Sequence, residues 1–226
     1  MTPEEKRPGL FYGWYVMAAC LLVQIYTSGV VSLGFTAVFE PIANEFHWSY
    51  AQISLAASLR GLEMGVLGPL VGWMADRWGA RRLIFGGSIL ICLGFWLLSR
   101  TESLATFYGA FILIAAGMSA ASIVVLMTAV TNWFHRKAGL ATGIVASGVA
   151  LGGLVVPLMT VLIDALQWRT AMWVVGLGAL AVGLPMALVI RGRPEQYGAH
   201  PDGEAAGPSA DPGTAPAEPE LSRSAR

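Results

Sequence analysis

Charge is scarce in this sequence: Asp, Glu, Lys and Arg together make up 12% of its 226 residues. A soluble domain carries about twice that share. With 55% of residues apolar, the chain has too few polar groups to cover its surface in water, and lipid is the expected solvent. Neither sign of charge is in excess, since 14 Lys and Arg balance 14 Asp and Glu. That excludes the broad basic field with which proteins attract nucleic acid. Cysteine is nearly absent. Cys20 and Cys92 each lie inside an apolar run and read as small packing residues. Histidine is limited to His47, His135 and His200, too scattered for a metal site. Nucleophile–base pairs, phosphate-binding loops and cofactor motifs are missing, so the chain is not expected to be an enzyme or to hold a cofactor. A cleavable leader is not expected either. The first ten residues are polar and carry Lys6 and Arg7, and the first apolar run is too long and lacks a small-residue cleavage site.

What the sequence does have is long apolar runs. A spanning helix needs about 20 mostly apolar residues, and about six runs meet that need. They lie near Trp14–Val38, Ser49–Ala75, Leu83–Leu98, Leu104–Val130, Ala138–Ile163 and Ala171–Ile190. The expected fold class is an all-α membrane protein with about six transmembrane helices. Residues 1–10 form an amino-terminal segment and residues 11–192 a half-bundle. Residues 193–226 turn to Pro, Ala, Gly, Glu and Ser, a composition that cannot offset the entropy of ordering and predicts a disordered linker or tail.

Lys and Arg alternate between the breaks. Lys6 and Arg7 precede the first run, and the break at 39–48 holds only Glu40 and Glu45. Arg77, Arg81 and Arg82 follow the second run, His135, Arg136 and Lys137 the fourth, and Arg191 and Arg193 the sixth. The positive-inside rule then puts both termini in the cytoplasm. Trp14, Tyr15, Trp48, Tyr50, Trp78, Trp133 and Trp168 fall near predicted helix ends, where amphipathic rings favour the headgroup level.

The run from Gly72 through Asp76, Arg77 and Gly79 to Arg81 and Arg82 closes the second helix and opens the third. Gly79 permits a left-handed turn. The three guanidiniums suit lipid headgroups or the carbonyl end of a neighbouring helix, and Asp76 calls for a cation or a helix amino terminus. This run resembles the signature between the second and third helices of the major facilitator superfamily, in which Gly is followed after three residues by Asp, a basic residue, any residue, Gly and further basic residues. Ala80 departs from that pattern. Tyr12-Gly13-Trp14-Tyr15, the run from Trp133 through His135 to Gly143, Trp168-Arg169, and Arg193 through Gly198 are similar to the monocarboxylate transporter and oxalate/formate antiporter branch. The fourth run has no arginine and the first no lysine, two residues that some members carry there. The resemblance implies an amino-terminal six-helix half lining one wall of a central cavity. It also implies a turn at Gly72, Asp76, Arg77, Gly79, Arg81 and Arg82 that acts as a conformational switch.

Arg60 and Glu63 are the ionisable residues deep inside a predicted span. A charge at the bilayer centre costs about 2.5–3.5 kcal/mol on insertion scales, so it needs a reason. Either Arg60 attracts an organic anion or joins a gating network, or the two form a structural ion pair. Gln24, Tyr26, Thr27 and Ser28 sit midway along the first run, and Ser119 and Ser122 within the fourth. They are candidates for substrate binding or for hydrogen bonds between helices. Gly61, Gly65, Gly68 and Gly72 fall within roughly 40° of Ser54 on an ideal helical wheel. Such a stripe allows close helix contact, within one half or between two. Gly148 and Gly152 form a second small pair, and Pro157 bends that helix.

The expected function is secondary transport of a small solute, a monocarboxylate-like organic anion, by one half of a carrier in the plasma (inner) membrane. Its partners would be the bilayer, the solute, and either a carboxyl-terminal half on a separate chain or a second copy in a homodimer. The competing reading is a non-transporting membrane subunit or truncated product that binds a partner through its helix faces.

Overall fold

The computed structural model describes residues 11–192 and 194, apart from the side chains at 60 and 62–64. The expected amino-terminal segment 1–10 and the expected tail, 195–226 with Arg193, lie outside the described residues. Everything described is helix or short turn. Helix α1 spans Tyr12–Ile25 and widens into a π-helical stretch, Tyr26–Leu33, then a 3-10 stretch, Gly34–Val38, then α2, Phe39–Phe46. There follow α3 Tyr50–Trp78, α4 Ala80–Ser99, α5 Leu104–Ala120, α6 Ile123–Thr131, α7 Ala138–Gly153, α8 Val156–Leu166 and α9 Trp168–Val189.

Five stretches among the described residues are long and apolar enough to cross a membrane: Tyr12–Phe46, Ala80–Ser99, Leu104–Thr131, Ala138–Leu166 and Trp168–Val189. The chain is thus an all-helical, multi-pass membrane protein. Helix α3 has 29 residues, about 43 Å at 1.5 Å per residue. It is not one of the five, because Arg60, Glu63 and the polar residues Gln52, Ser54 and Ser58 dilute its apolar content. The surface agrees with a lipid solvent: Leu154, Val66, Leu158 and Val161 are all more than 60% exposed.

Three expectations from sequence need correction. The break placed at 39–48 is mostly helix, and the turn is confined to residues 47–49. Pro41 falls in the first turn of α2, where a missing N–H costs nothing. His47 then ends α2 with φ 54°. Next, two spans are interrupted. The fourth predicted run breaks at Ala121–Ser122 and the fifth at Leu154–Val155, with Pro157 near the start of α8. Lastly, Trp133 and Trp168 stand near helix ends as expected, but their rings pack against protein. Both are buried, and each indole N–H finds a protein acceptor: Arg191 carbonyl at 2.9 Å and Glu45 carboxylate at 2.5 Å. Tyr15, Tyr50 and Trp78 remain exposed.

Small residues set the packing. In lipid, helices associate through close contact rather than hydrophobic drive. A Cβ added at Gly87 of α4 would lie 2.7 Å from the Gly117 carbonyl oxygen of α5, and one at Gly117 2.6 Å from that of Gly87. On the other side of α4, a Cβ at Gly176 of α9 would stand 3.1 Å from Phe95 Cβ and 3.2 Å from the Cys92 carbonyl oxygen. Helix α4 is therefore held between α5 and α9 without room for larger side chains. At one end of the bundle Tyr12 donates to the Val189 carbonyl at 2.8 Å, and Phe11 and Tyr12 pack on Trp133. The start of α1 and the end of α9 thus meet on one side.

Candidate functional site

The first helix does not keep a regular pitch through the bundle, and its irregularity builds the site. Thr27 turns its hydroxyl back onto the Val23 and Gln24 carbonyls, at 2.9 and 3.2 Å. Such back-bonding competes with the regular helical ladder. Thr27 lies inside the π stretch, which begins at Tyr26, and widened turns of this kind are frequent at functional sites. Helix α7 comes close alongside. A Cβ at Gly148 would meet Gln24 Cγ at 2.9 Å, and one at Gly152 would meet the Gly29 backbone nitrogen at 2.7 Å. Gly148 therefore leaves the space in which the Gln24 side chain lies.

A cleft of about 300 Å³ opens beside this contact. Gln24, Thr27, Ser28 and Ser32 line it from the first span. Gly68, Val71 and Gly72 line it from α3, and Val149 from α7. The break between α5 and α6 supplies Met118, Ser119, Ala121, Ser122, Ile123 and Val124. Backbone freed from the helical ladder is tolerated at membrane depth where it lines a cavity. No charged side chain lines the cleft among the described residues. Its polar groups are one amide and five hydroxyls. Gln24 Nε2 donates to Ser28 Oγ at 2.7 Å. Gln24 Oε1 and Ser119 Oγ are buried without a hydrogen-bond partner, an arrangement that costs about 1–3 kcal/mol each when left unmet.

The structure thus brings Gln24, Thr27 and Ser28 together with Ser119 and Ser122. Tyr26 is placed elsewhere. Its hydroxyl donates to the Val175 carbonyl of α9, inside the bundle. The residue at 26 sits half a turn from Gln24 and Ser28, and so faces the packed side of the helix. The side chains of Arg60 and Glu63 lie outside the described residues; their backbone belongs to α3. Gly61, Gly65, Gly68 and Gly72 meet nothing within 4 Å of an added Cβ. Among the described residues, that glycine face of α3 is bare.

The turn motif divides between two places. Gly72 faces the cleft, whereas Asp76, Arg77, Gly79, Arg81 and Arg82 line a separate cavity of about 810 Å³ with Thr128, Asn132 and Gly192. Gly79 has φ 81° and ψ 152°, outside the left-handed helical basin and open to glycine alone without strain. The Arg77 guanidinium stands 5.5 Å from the Trp73 ring centre.

At the opposite end is a feature the sequence reading did not single out. Glu45 receives Arg169 Nη2 at 2.8 Å and Trp168 Nε1 at 2.5 Å, and Arg169 also donates to the Ser99 and Thr101 carbonyls at 2.9 and 3.1 Å. An acidic residue just before a turn gives no sign of a partner more than a hundred residues away.

Comparison with known proteins places the chain. A family model described as Major Facilitator Superfamily matches residues 11–223. A transporter of Aspergillus flavus, MFS transporter asaE, is 31% identical over 211 residues, 89% of this chain and 46% of that protein. Human monocarboxylate transporter 2 is 26% identical over 77% of this chain and 36% of its own length. The oxalate:formate antiporter of Oxalobacter formigenes is 28% identical over 78% of this chain and 40% of its own length. The chain spans less than half the length of these relatives. It belongs to the major facilitator superfamily.

Proposed function

We propose that this chain is one half of a secondary carrier for a small organic anion. One observation carries the reading. A polar cleft sits midway along a broken, widened set of helices, and it opens beside a helix face on which no described residue packs. A half-carrier would present one wall of a midplane cavity in this way, and alternating access would follow from rocking this unit against another. Helix α3 would be the sixth span, since its length suffices and the bare glycine face lets a second unit approach closely. The second unit would be a carboxyl-terminal half or a second copy of this one. Matches to proteins named as monocarboxylate transporters and an oxalate:formate antiporter support an organic anion as the solute. Arg60 is the proposed anion-attracting group. It lies eight residues before Gly68 in α3, about 12 Å along the axis. The basic turn at Arg77, Arg81 and Arg82 would face the cytoplasm, with both termini, in the plasma membrane.

The test is reconstitution of the purified chain into vesicles, with its mass measured in the native state and uptake of labelled oxalate, formate and lactate followed. Saturable uptake should require a species larger than one protomer. Uptake by a single protomer would overturn the half-carrier reading. No uptake by any assembled form would favour a non-transporting subunit that binds a partner through the bare face of α3.

A further inference from the structure

Gln24 and Ser119 are 6% and 3% exposed, and both line the cleft. Each leaves an atom without a partner, the amide oxygen of one and the hydroxyl of the other. Their situation differs from that of the neighbouring polar groups. Ser28 takes the Gln24 amide nitrogen, and Thr27 closes on its own helix. Ser88, as deeply buried at 4% exposure, closes on the Ile84 carbonyl at 2.8 Å. Ser119 lies at the end of α5 and makes no such bond back to its helix.

We propose that Gln24 and Ser119 form a subsite for a neutral group of the solute that both donates and accepts a hydrogen bond, a hydroxyl above all. This rests on the cleft being the solute site. One N–H of the Gln24 amide is engaged by Ser28, and the amide oxygen, left without a partner, presents an acceptor. An ionised carboxylate can only accept. Set against the amide oxygen in a buried site, it would leave two acceptors facing each other with no proton between them. A hydroxyl donates to Gln24 Oε1 and accepts from the Ser119 hydroxyl. The solute's anionic end then belongs elsewhere in the cavity, and Gln24 and Ser119 choose among anions by what else they carry. A site built to hydrogen-bond a hydroxyl discriminates strongly against an analogue that lacks it, because its own buried groups are then left unpaired.

The test is thermal unfolding of the purified chain in detergent. An unmet buried hydroxyl destabilises the solute-free protein. Ser119→Ala should therefore raise the solute-free midpoint by about 2–4 °C, whereas Ser88→Ala, which removes a hydroxyl already bonded, should not. Glycolate and acetate differ by one hydroxyl. Glycolate should raise the wild-type midpoint more than acetate at equal concentration, and Ser119→Ala should abolish the difference. A fall in midpoint for Ser119→Ala would show a hydroxyl satisfied in the solute-free chain and would overturn the subsite. So would equal midpoints with the two acids on wild type. Uptake plays no part in either reading, so a chain that fails to transport on its own still gives them.

Discussion

Arg169 and Glu45 pair at 2.8 Å across 124 residues of sequence, and the same guanidinium donates to the carbonyls of Ser99 and Thr101. One side chain thus joins the end of α2, the turn between α4 and α5, and the start of α9. Both partners are more than a third exposed, at 35% and 42%, so the ion pair itself contributes little in water. The two carbonyl bonds carry more. Arg169→Ala should lower stability by about 1–2 kcal/mol, and Glu45→Ala by less. Arg169→Lys should not restore it, because an ammonium lacks the planar fork that reaches three acceptors. Thermal unfolding of the three variants in detergent checks the order.

Gly152 and Gly153 are adjacent and should respond oppositely to alanine. A Cβ at Gly152 would lie 2.7 Å from the Gly29 backbone nitrogen, and one at Gly153 meets nothing within 4 Å. Gly152→Ala should cost about 1–3 kcal/mol by forcing the first span and α7 apart. Gly153→Ala should be neutral or slightly stabilising. If both variants unfold like wild type, the contact between the first span and α7 is not as close as described.

Gln167 joins α8 to α9 with φ 63° and ψ 150°. That region is nearly confined to glycine, and another residue there stores about 1–3 kcal/mol of strain. Gln167→Gly should stabilise the chain by about 1 kcal/mol, a rise of about 2–4 °C in the unfolding midpoint. A lower midpoint would mean that the Gln167 side chain makes up for its backbone.

Asn44 is exposed in the last turn of α2. With the basic turn cytoplasmic, this end of the bundle faces the opposite side of the membrane. Asn44→Cys should react with an impermeant maleimide added outside intact cells. Reaction from the cytoplasmic side alone would invert the topology.

Arg60→Ala should abolish uptake of an organic anion by the assembled carrier, with Arg60→Lys retaining part of it. Lys keeps the charge and loses the two-pronged geometry that suits a carboxylate. Undiminished uptake by the alanine variant would assign Arg60 a structural role instead.

The sequence alone determined that the chain is a helical membrane protein. Apolar run length and the scarcity of charge depend on composition, and composition needs no coordinates. The turn from Gly72 to Arg82 was legible for a similar reason: its spacing is local, and a glycine at 79 freely takes the positive φ found there. The tertiary structure decided which side of each helix works. Gln24, Tyr26, Thr27 and Ser28 stand together in sequence, and only the packing of α7 and α9 separates them. Gly148 leaves room for Gln24 at the cleft, whereas Tyr26 is held by the Val175 carbonyl on the packed side. The breaks at Ala121–Ser122 and Leu154–Val155 and the π stretch at Tyr26–Leu33 were equally hidden, because hydropathy averages over the turns in which they occur. Partnership was the least legible feature. Glu45 and Arg169 meet only because α2 ends where α9 begins, and Ser119 differs from Ser88 only in which acceptor lies within reach of its hydroxyl. A hydrogen bond forms between groups brought within about 3 Å, and in a bundle that distance is set by how neighbouring helices pack, a relation that no single stretch of sequence contains.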